Sequence, residues 1–342
     1  FFADGKFFTP NQRGQFVAIS ARLPVEKVSD ALPLIMNTGR IRDQWHTMSR
    51  TGPAPVLSSH TQEPFVQVHP TNAAHYQLTD NSLALVENQQ GKLIARIKVT
   101  TDQRPHEIFM PIHWGSPYSA KARVSSLVPR LTDSVSGQPQ YKQTAVTIKP
   151  YPAIIEGTLI LDQSLGHTLS TPWQPSNSYW TKVSIAKGNK FYLAETHIEQ
   201  SAMIAAQIQL EFPVVKEWIM LSSQNEQGIS LAGFINNRLV VGLFTAATRS
   251  SLPDTAATEQ NLGKIIELNQ RFNLLEGKGL SSTATGSIIC SCHQIGQYQI
   301  EQAIEEGCNS VEALGEQLKC GTKCGSCIPE LKKLVNHHPI PS

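Results

Sequence analysis

All six cysteines of this chain fall in its last 53 residues, at positions 290, 292, 308, 320, 324 and 327, and the preceding 289 residues carry none. A disulfide-stapled fold spreads its cysteines through the small units that need crosslinking, so this asymmetry excludes one for the front of the chain. It calls instead for ordinary hydrophobic cores over the first 289 residues and a local thiolate site at the end, in a reducing compartment, which predicts a cytoplasmic protein. Material for such cores is present. The 342 residues suffice for two or three domains, and a hydrophobic content of 40% belongs to a globular rather than a disordered chain. Twenty-nine basic against 27 acidic residues leave a formal charge of +2, which provides no electrostatic footprint for nucleic acid or an anionic membrane. No apolar run approaches the length of a membrane span. The opening Phe1-Phe2-Ala3-Asp4-Gly5 is neither an initiator methionine nor the charged start of a signal peptide, and a C-terminal portion of a longer polypeptide is expected.

Three textures follow one another. Residues 1–150 alternate short β-type runs (Phe65 to Val68, Leu83 to Val86, Leu93 to Val99, Ile108 to Ile112) with turn residues such as Gln90-Gly91, and predict a closed or nearly closed β-barrel with a few helices. One helix is expected to start at Pro70. Residues 151–282 read as an α+β region without a functional motif. Its expected strands are Ala153 to Leu161, Tyr179 to Ile185, Trp218 to Leu221, and a pair, Ile229 to Ile235 and Leu239 to Phe244, turning at Asn236-Asn237. Helical spacing runs from Ile198 to Phe212 and from Ala257 to Leu275, and a Gly/Ser/Thr-rich linker follows from Gly277 to Gly286. Residues 283–342 form a small helical unit holding all the cysteines. The fold class is therefore mixed.

In that last unit Cys290-x-Cys292 is separated by 31 residues from Cys324-x-x-Cys327. Two close pairs of thiolates suit either a tetrahedral zinc site or an iron–sulfur cluster, and zinc is the weaker choice because its structural sites usually space cysteines two apart. Gly321 and Gly325 let the backbone wrap close to a ligand, Ser310 is an N-cap candidate, and a helix starting near Pro329 would turn its positive end toward a negative cluster. Cys308 and Cys320 lie outside the pairs and read as small buried hydrophobes.

A second segment concentrates polar chemistry. Leu34 to Gly52 runs from an apolar strand into Thr38-Gly39-Arg40-Ile41-Arg42-Asp43-Gln44-Trp45-His46-Thr47, followed by Arg50-Thr51-Gly52. A Thr-Gly turn can offer amides to a diphosphate, arginines can bind it through two hydrogen bonds, and a carboxylate can accept from a guanine edge. The same residues also suit a turn followed by a solvated amphipathic helix.

The C-terminal segments Ile289-Cys290-Ser291-Cys292 and Cys320 to Leu331 resemble the bacterioferritin-associated-ferredoxin type of [2Fe–2S] domain, over roughly the last sixth of the chain. Leu34 to Gly52, with Pro64 to Pro70, Pro111 to Gly115 and Asp133 to Lys142, resembles the molybdopterin-dinucleotide-binding domain of molybdenum oxidoreductases. Its wording is most similar to that of bacterial assimilatory nitrate reductases. The first resemblance implies a [2Fe–2S] cluster on Cys290, Cys292, Cys324 and Cys327. The second implies a double-psi type of barrel over residues 1–150. In it Thr38, Gly39, Arg40, Arg42, Asp43, Gln44, Trp45, His46 and Thr47 would line the pterin guanine dinucleotide of a Mo-bis-MGD cofactor, with a positive charge from Lys142. Ser125 stands where the family often has Asn and keeps fewer hydrogen-bonding functions. No catalytic residue is expected in these 342 residues, and His113 and Trp114 read as packing.

Together the resemblances imply part of an enzyme that reduces nitrate to nitrite in nitrate assimilation, with electrons entering at the [2Fe–2S] cluster. The expected partners are an N-terminal remainder of the reductase carrying a [4Fe–4S] cluster, nitrate, and an electron donor (an NAD(P)H-linked reductase subunit, ferredoxin or flavodoxin). The chain by itself is expected to be inactive. Three rivals are a stand-alone electron-transfer or docking module, a fragment of NAD(P)H nitrite reductase, and a formate dehydrogenase relative. The nitrite reductase would need Gly-x-Gly-x-x-Gly turns, which the sequence lacks.

Overall fold

Alternating burial along Leu34–Gly39 turns Leu34, Met36 and Thr38 inward and begins a closed six-stranded barrel. In the computed structural model, which describes residues 2–18, 20, 24–134, 136–165, 179–197, 201–222, 228–277 and 286–337, the barrel strands are β1 (Leu34–Gly39), β2 (Phe65–Val68), β3 (Leu83–Glu87), β4 (Lys92–Val99), β5 (Glu107–Pro111) and β6 (Thr144–Pro150). They run in the order β1-β5-β2-β4-β3-β6, with β1 parallel to β5 and β2 parallel to β4. Met36, Val66, Val68, Leu93, Ile108 and Val146 fill the interior. The helix expected at Pro70 spans Pro70–His75, with the His69 ring accepting from the Thr71 amide.

Closing the barrel leaves the next strands to make their own sheet. Here β7 (Ile155–Asp162), β8 (Tyr179–Ile185), β9 (Gly188–Glu195), β10 (Glu217–Ser222), β11 (Ile229–Ile235) and β12 (Arg238–Ala246) form an antiparallel sheet in the order β10-β11-β12-β7-β9-β8. β7 lies among its central strands and is buried at every position. The helix Ser201–Glu211 packs Ile204 and Ile208 into one core, and Leu262, Leu274 and Leu275 help build another. Asn236 and Asn237 take φ values of 50° and 63°, the paired left-handed residues that a two-residue hairpin turn requires.

Two expectations for this region need correction. β9 was not anticipated, because its run Gly188-Asn189-Lys190 opens with turn and polar residues and becomes strand-like only where β7 and β8 flank it. The single helix expected from Ala257 to Leu275 is two, Ala256–Asn261 and Leu268–Leu275. Gly263 sits at φ +74° between them, and Lys264 and Ile266 pair their backbones with Leu239 and Asn237. Strand-edge hydrogen bonds outcompete helix propagation there. The residues expected to start the Ile198 helix, 198–200, and most of the linker, 278–285, lie outside the described residues.

Barrel and sheet meet through Leu83, Ile94, Tyr179 and Ala194, and through a buried ionic group. Arg96 on β4 reaches Glu156 on β7 at 2.6 Å and Glu63 at 2.9 Å, and Glu63 also meets Arg249 at 3.3 Å. Burial alone would raise the Glu63 carboxyl, but Arg96 and Arg249 outweigh it and hold that carboxyl below its ordinary range.

The tail consists of β13 (Ile288–Cys290), β14 (Ile295–Gly296) and helices Gln297–Glu305, Val311–Leu318 and Ile328–His337. Ser310 accepts from the Ala313 amide at 3.1 Å as the expected N-cap. Among the described residues no helix is long and apolar enough to cross a membrane.

Candidate functional site

The short ladder of β13 and β14 and the loop before the last helix bring four separated cysteines together in two pairs. Cys292 and Cys324 approach to 3.2 Å between sulfurs, and Cys290 lies beside Cys327 and also beside Cys320. Gly321 and Gly325 supply the bends, at φ +75° and +72°, that no residue with a side chain takes easily. The Ser326 hydroxyl, 3.1 Å from the Cys324 sulfur, helps hold that thiol down to about 7, while burial pushes Cys327 up to about 11. Four thiols in two facing pairs are the donor set of a [2Fe–2S] cluster, and the group fits these residues.

The two remaining cysteines separate. Cys308 is buried and donates to Gln317 Oε1 at 2.8 Å, away from the pairs. Cys320 is 1% exposed and contacts Cys290, so it is a core residue beside the site rather than remote from it.

The segment after β1 builds a second site. Thr38 donates its hydroxyl to Tyr141 O at 2.8 Å, and Lys142 Nζ donates to Thr38 O, so the distant lysine lies at the end of the strand. At Gly39 a Cβ would lie 2.9 Å from the Phe109 ring, so glycine lets that ring pack close against the strand end. Arg40 lies over the Trp45 ring at 6.0 Å, and Trp45 meets His46 edge to face at 4.5 Å. Arg40, Trp45, His46, Thr47 and Lys142 are exposed. Beside Thr38, the buried Asn37 Oδ1 has no hydrogen-bond partner among the described residues. A cationic, aromatic and hydroxyl-bearing rim around an open strand end fits the diphosphate and base of a dinucleotide.

Three of the segment's residues are engaged elsewhere. Gln44 is buried, donating to Leu57 O at 3.0 Å and accepting from the Thr51 hydroxyl at 2.7 Å. Arg42 and Asp43 turn to the cysteine loops. Arg42 donates to Ile289 O at 2.8 Å and to Glu330 Oε2 at 3.1 Å, and Asp43 accepts from the Ser291 hydroxyl at 2.9 Å. His60 completes the contact at 3.3 Å from Glu330. Burial would raise the Glu330 carboxyl, but His60 and Arg42 outweigh that and hold it below the ordinary range. Sequence reasoning missed His60, Ser291 and Glu330, whose partners lie hundreds of residues away in the chain. Ser125 is an exposed residue of a short 3-10 turn.

His113 also does more than pack. Its Nε2 accepts from the Ile41 amide at 2.9 Å, so Nδ1 carries the proton and donates to His46 O at 2.6 Å. The ring thus ties down both sides of the segment's turn, where Asp43, His46 and Met48 all have positive φ. The signal available in the sequence was the placement of His113 at the end of β5, beside β1. Trp114 is buried against Met48 and Ala122, as a packing residue should be.

Residues 34–145 match the molydopterin dinucleotide binding domain, and residues 288–337 match the BFD-like [2Fe–2S] binding domain. Relatives cover the region between them as well. A nitrate reductase of Klebsiella oxytoca is 34% identical over 320 residues, covering 91% of this chain and 35% of its own length. A nitrate reductase of Shewanella frigidimarina is 23% identical, covering 97% of this chain and 37% of its own. The assimilatory nitrate reductase catalytic subunit of Bacillus subtilis is 30% identical over 43% of this chain and 21% of its own. The chain thus spans little more than a third of the length of the Klebsiella and Shewanella relatives.

Proposed function

We propose that the complete protein is a molybdenum-dependent nitrate reductase of nitrate assimilation, located in the cytoplasm, in which the dinucleotide-binding domain seats a Mo-bis-MGD cofactor and the tail receives electrons. The carrying observation is that the cysteine loops lie directly against the dinucleotide segment, through Arg42, Asp43 and Glu330. When bound, the two groups supply the redox chemistry: one-electron relay at the cluster and two-electron reduction of nitrate at molybdenum. Nitrate takes up two electrons and two protons and leaves as nitrite and water.

The chain's own residues have separable tasks. Cys290, Cys292, Cys324 and Cys327 hold the cluster. Thr38, Gly39 and Lys142 receive the diphosphate, and Arg40, Trp45, His46 and Thr47 form the exposed rim around it. Gln44 and His113 keep that turn in shape. A [4Fe–4S] cluster, in this reading, is held outside these residues, since no cysteine precedes Cys290. The donor is an NAD(P)H-linked reductase subunit, ferredoxin or flavodoxin.

The full-length protein, purified without oxygen and supplied with reduced viologen, is expected to produce nitrite from nitrate. Oxidation of formate with oxidised viologen as the acceptor, and no nitrite formed from nitrate with the reduced dye, would contradict the assignment.

A further inference from the structure

We propose that Arg42 and Asp43 are positioning residues of the [2Fe–2S] site, clamping both cysteine loops to the dinucleotide segment and setting the cluster's midpoint potential through their charges; this rests on the cluster assignment above. The partners of the pair are neighbours of the ligands. Ile289 precedes Cys290, Ser291 separates Cys290 from Cys292, and Ser326 precedes Cys327. Arg42 Nη2 reaches Ile289 O at 2.8 Å, Nη1 reaches Ser326 O at 3.4 Å, and Nε reaches Asp43 at 3.0 Å. Asp43 in turn holds the Ser291 hydroxyl. One planar guanidinium therefore spans two cysteine loops 37 positions apart, from Ile289 to Ser326, in a way the point charge of a lysine does not reproduce.

The environment makes both charges count. The Arg42 and Asp43 side chains are 15% and 11% exposed, so water screens them only partly. Asp43 also sits at φ +68°, a conformation unfavourable for a residue with a side chain that persists where the surroundings enforce it. Adding an electron to a cluster makes it more negative, so a nearby cation favours the reduced form and a nearby anion disfavours it. A dinucleotide could claim Arg42 only by breaking its contacts to both loops.

Full chain carrying its cluster, prepared anaerobically, tests this by redox titration followed with electron paramagnetic resonance, alongside hydrogen exchange over residues 288–296 and 326–335. Arg42→Gln is expected to lower the midpoint potential and Asp43→Asn to raise it, each with faster exchange in the cysteine loops. Arg42→Lys should return the potential toward wild type while leaving exchange fast, which separates charge from clamping. Should Arg42→Gln fail to take up iron, the Asp43→Asn and Arg42→Lys results decide. Wild-type potentials in the variants, or shifts of Arg42→Gln and Asp43→Asn in the same direction, overturn the proposal. A wild-type chain with no [2Fe–2S] resonance would overturn the cluster assignment instead, a separate failure.

Discussion

Arg42 Nη2 donates to Ile289 O at 2.8 Å, joining residues 247 positions apart. The bond leaves from the turn after β1 and ends on the strand residue before the first cysteine of the tail. It explains why a segment rich in ligand-type side chains divides its labour. Arg40, Trp45, His46 and Thr47 stay exposed, while Arg42, Asp43 and Gln44 are spent on protein partners.

The two spare cysteines provide a first test. Cys308 bonds Gln317 and Cys320 is a core residue, so neither is needed to hold iron. Cys308→Ala and Cys320→Ala are expected to keep the iron content and visible absorption of the wild type, whereas Cys324→Ser loses most of both. Iron analysis and absorption spectra of the three variants check this, and loss of iron from Cys320→Ala would move that residue into the ligand set.

His113 gives the barrel domain a pH dependence with a defined sign. Burial lowers its pKa below 6.5, and its two hydrogen bonds require the neutral ring. Protonation therefore favours the unfolded chain. The stabilisation is complete above about 6.5 and is lost as pH falls through the lowered folded value. His113→Leu should remove this acid-side slope. It leaves the Ile41 amide and His46 carbonyl without their partner, at a cost of about 1–3 kcal/mol at pH 7. Urea unfolding from pH 7.5 to 5 measures both effects.

The barrel and the sheet are coupled by a buried charge group. Removing one partner of a buried ion pair leaves the other uncompensated, so Arg96→Met should cost about 3–5 kcal/mol by stranding Glu156 and weakening the hold on Glu63. Chemical denaturation is expected to show this loss. Replacing Arg96 and Glu156 together by apolar residues should recover part of it.

Gly52, in the Arg50-Thr51-Gly52 stretch, has a steric reason to be glycine. A Cβ there would lie 2.4 Å from the Tyr118 ring, whose hydroxyl donates to Met48 O at 3.2 Å. Gly52→Ala is expected to destabilise by about 1–3 kcal/mol, the usual cost of overpacking, and Tyr118→Ala should relieve most of that cost in the double variant. Thermal unfolding of the three variants checks it.

What was legible in the sequence was local. The β1 segment, the Asn236-Asn237 hairpin, the Ser310 cap and each of the two cysteine pairs announce themselves in short stretches of sequence. Tertiary context decided the rest. β9 became a strand because β7 and β8 flank it, and the helix broke at Gly263 because β12 offered backbone partners. The segment's chemistry was readable, but not its division. Nothing near Arg42 says that its partners are Ile289 and Glu330, since a contact across more than 240 residues leaves no periodic trace in either stretch. His113 was read as packing because burial and hydrogen bonding to a distant turn look alike at the end of a β-run.

The most direct measurement is metal and sulfide analysis of the anaerobically purified chain, paired with electron paramagnetic resonance after dithionite reduction. Iron and acid-labile sulfide in equal amounts, two of each per chain, with a low-temperature signal of a half-integer spin, is the predicted result. One zinc ion per chain with no iron and no resonance would contradict it.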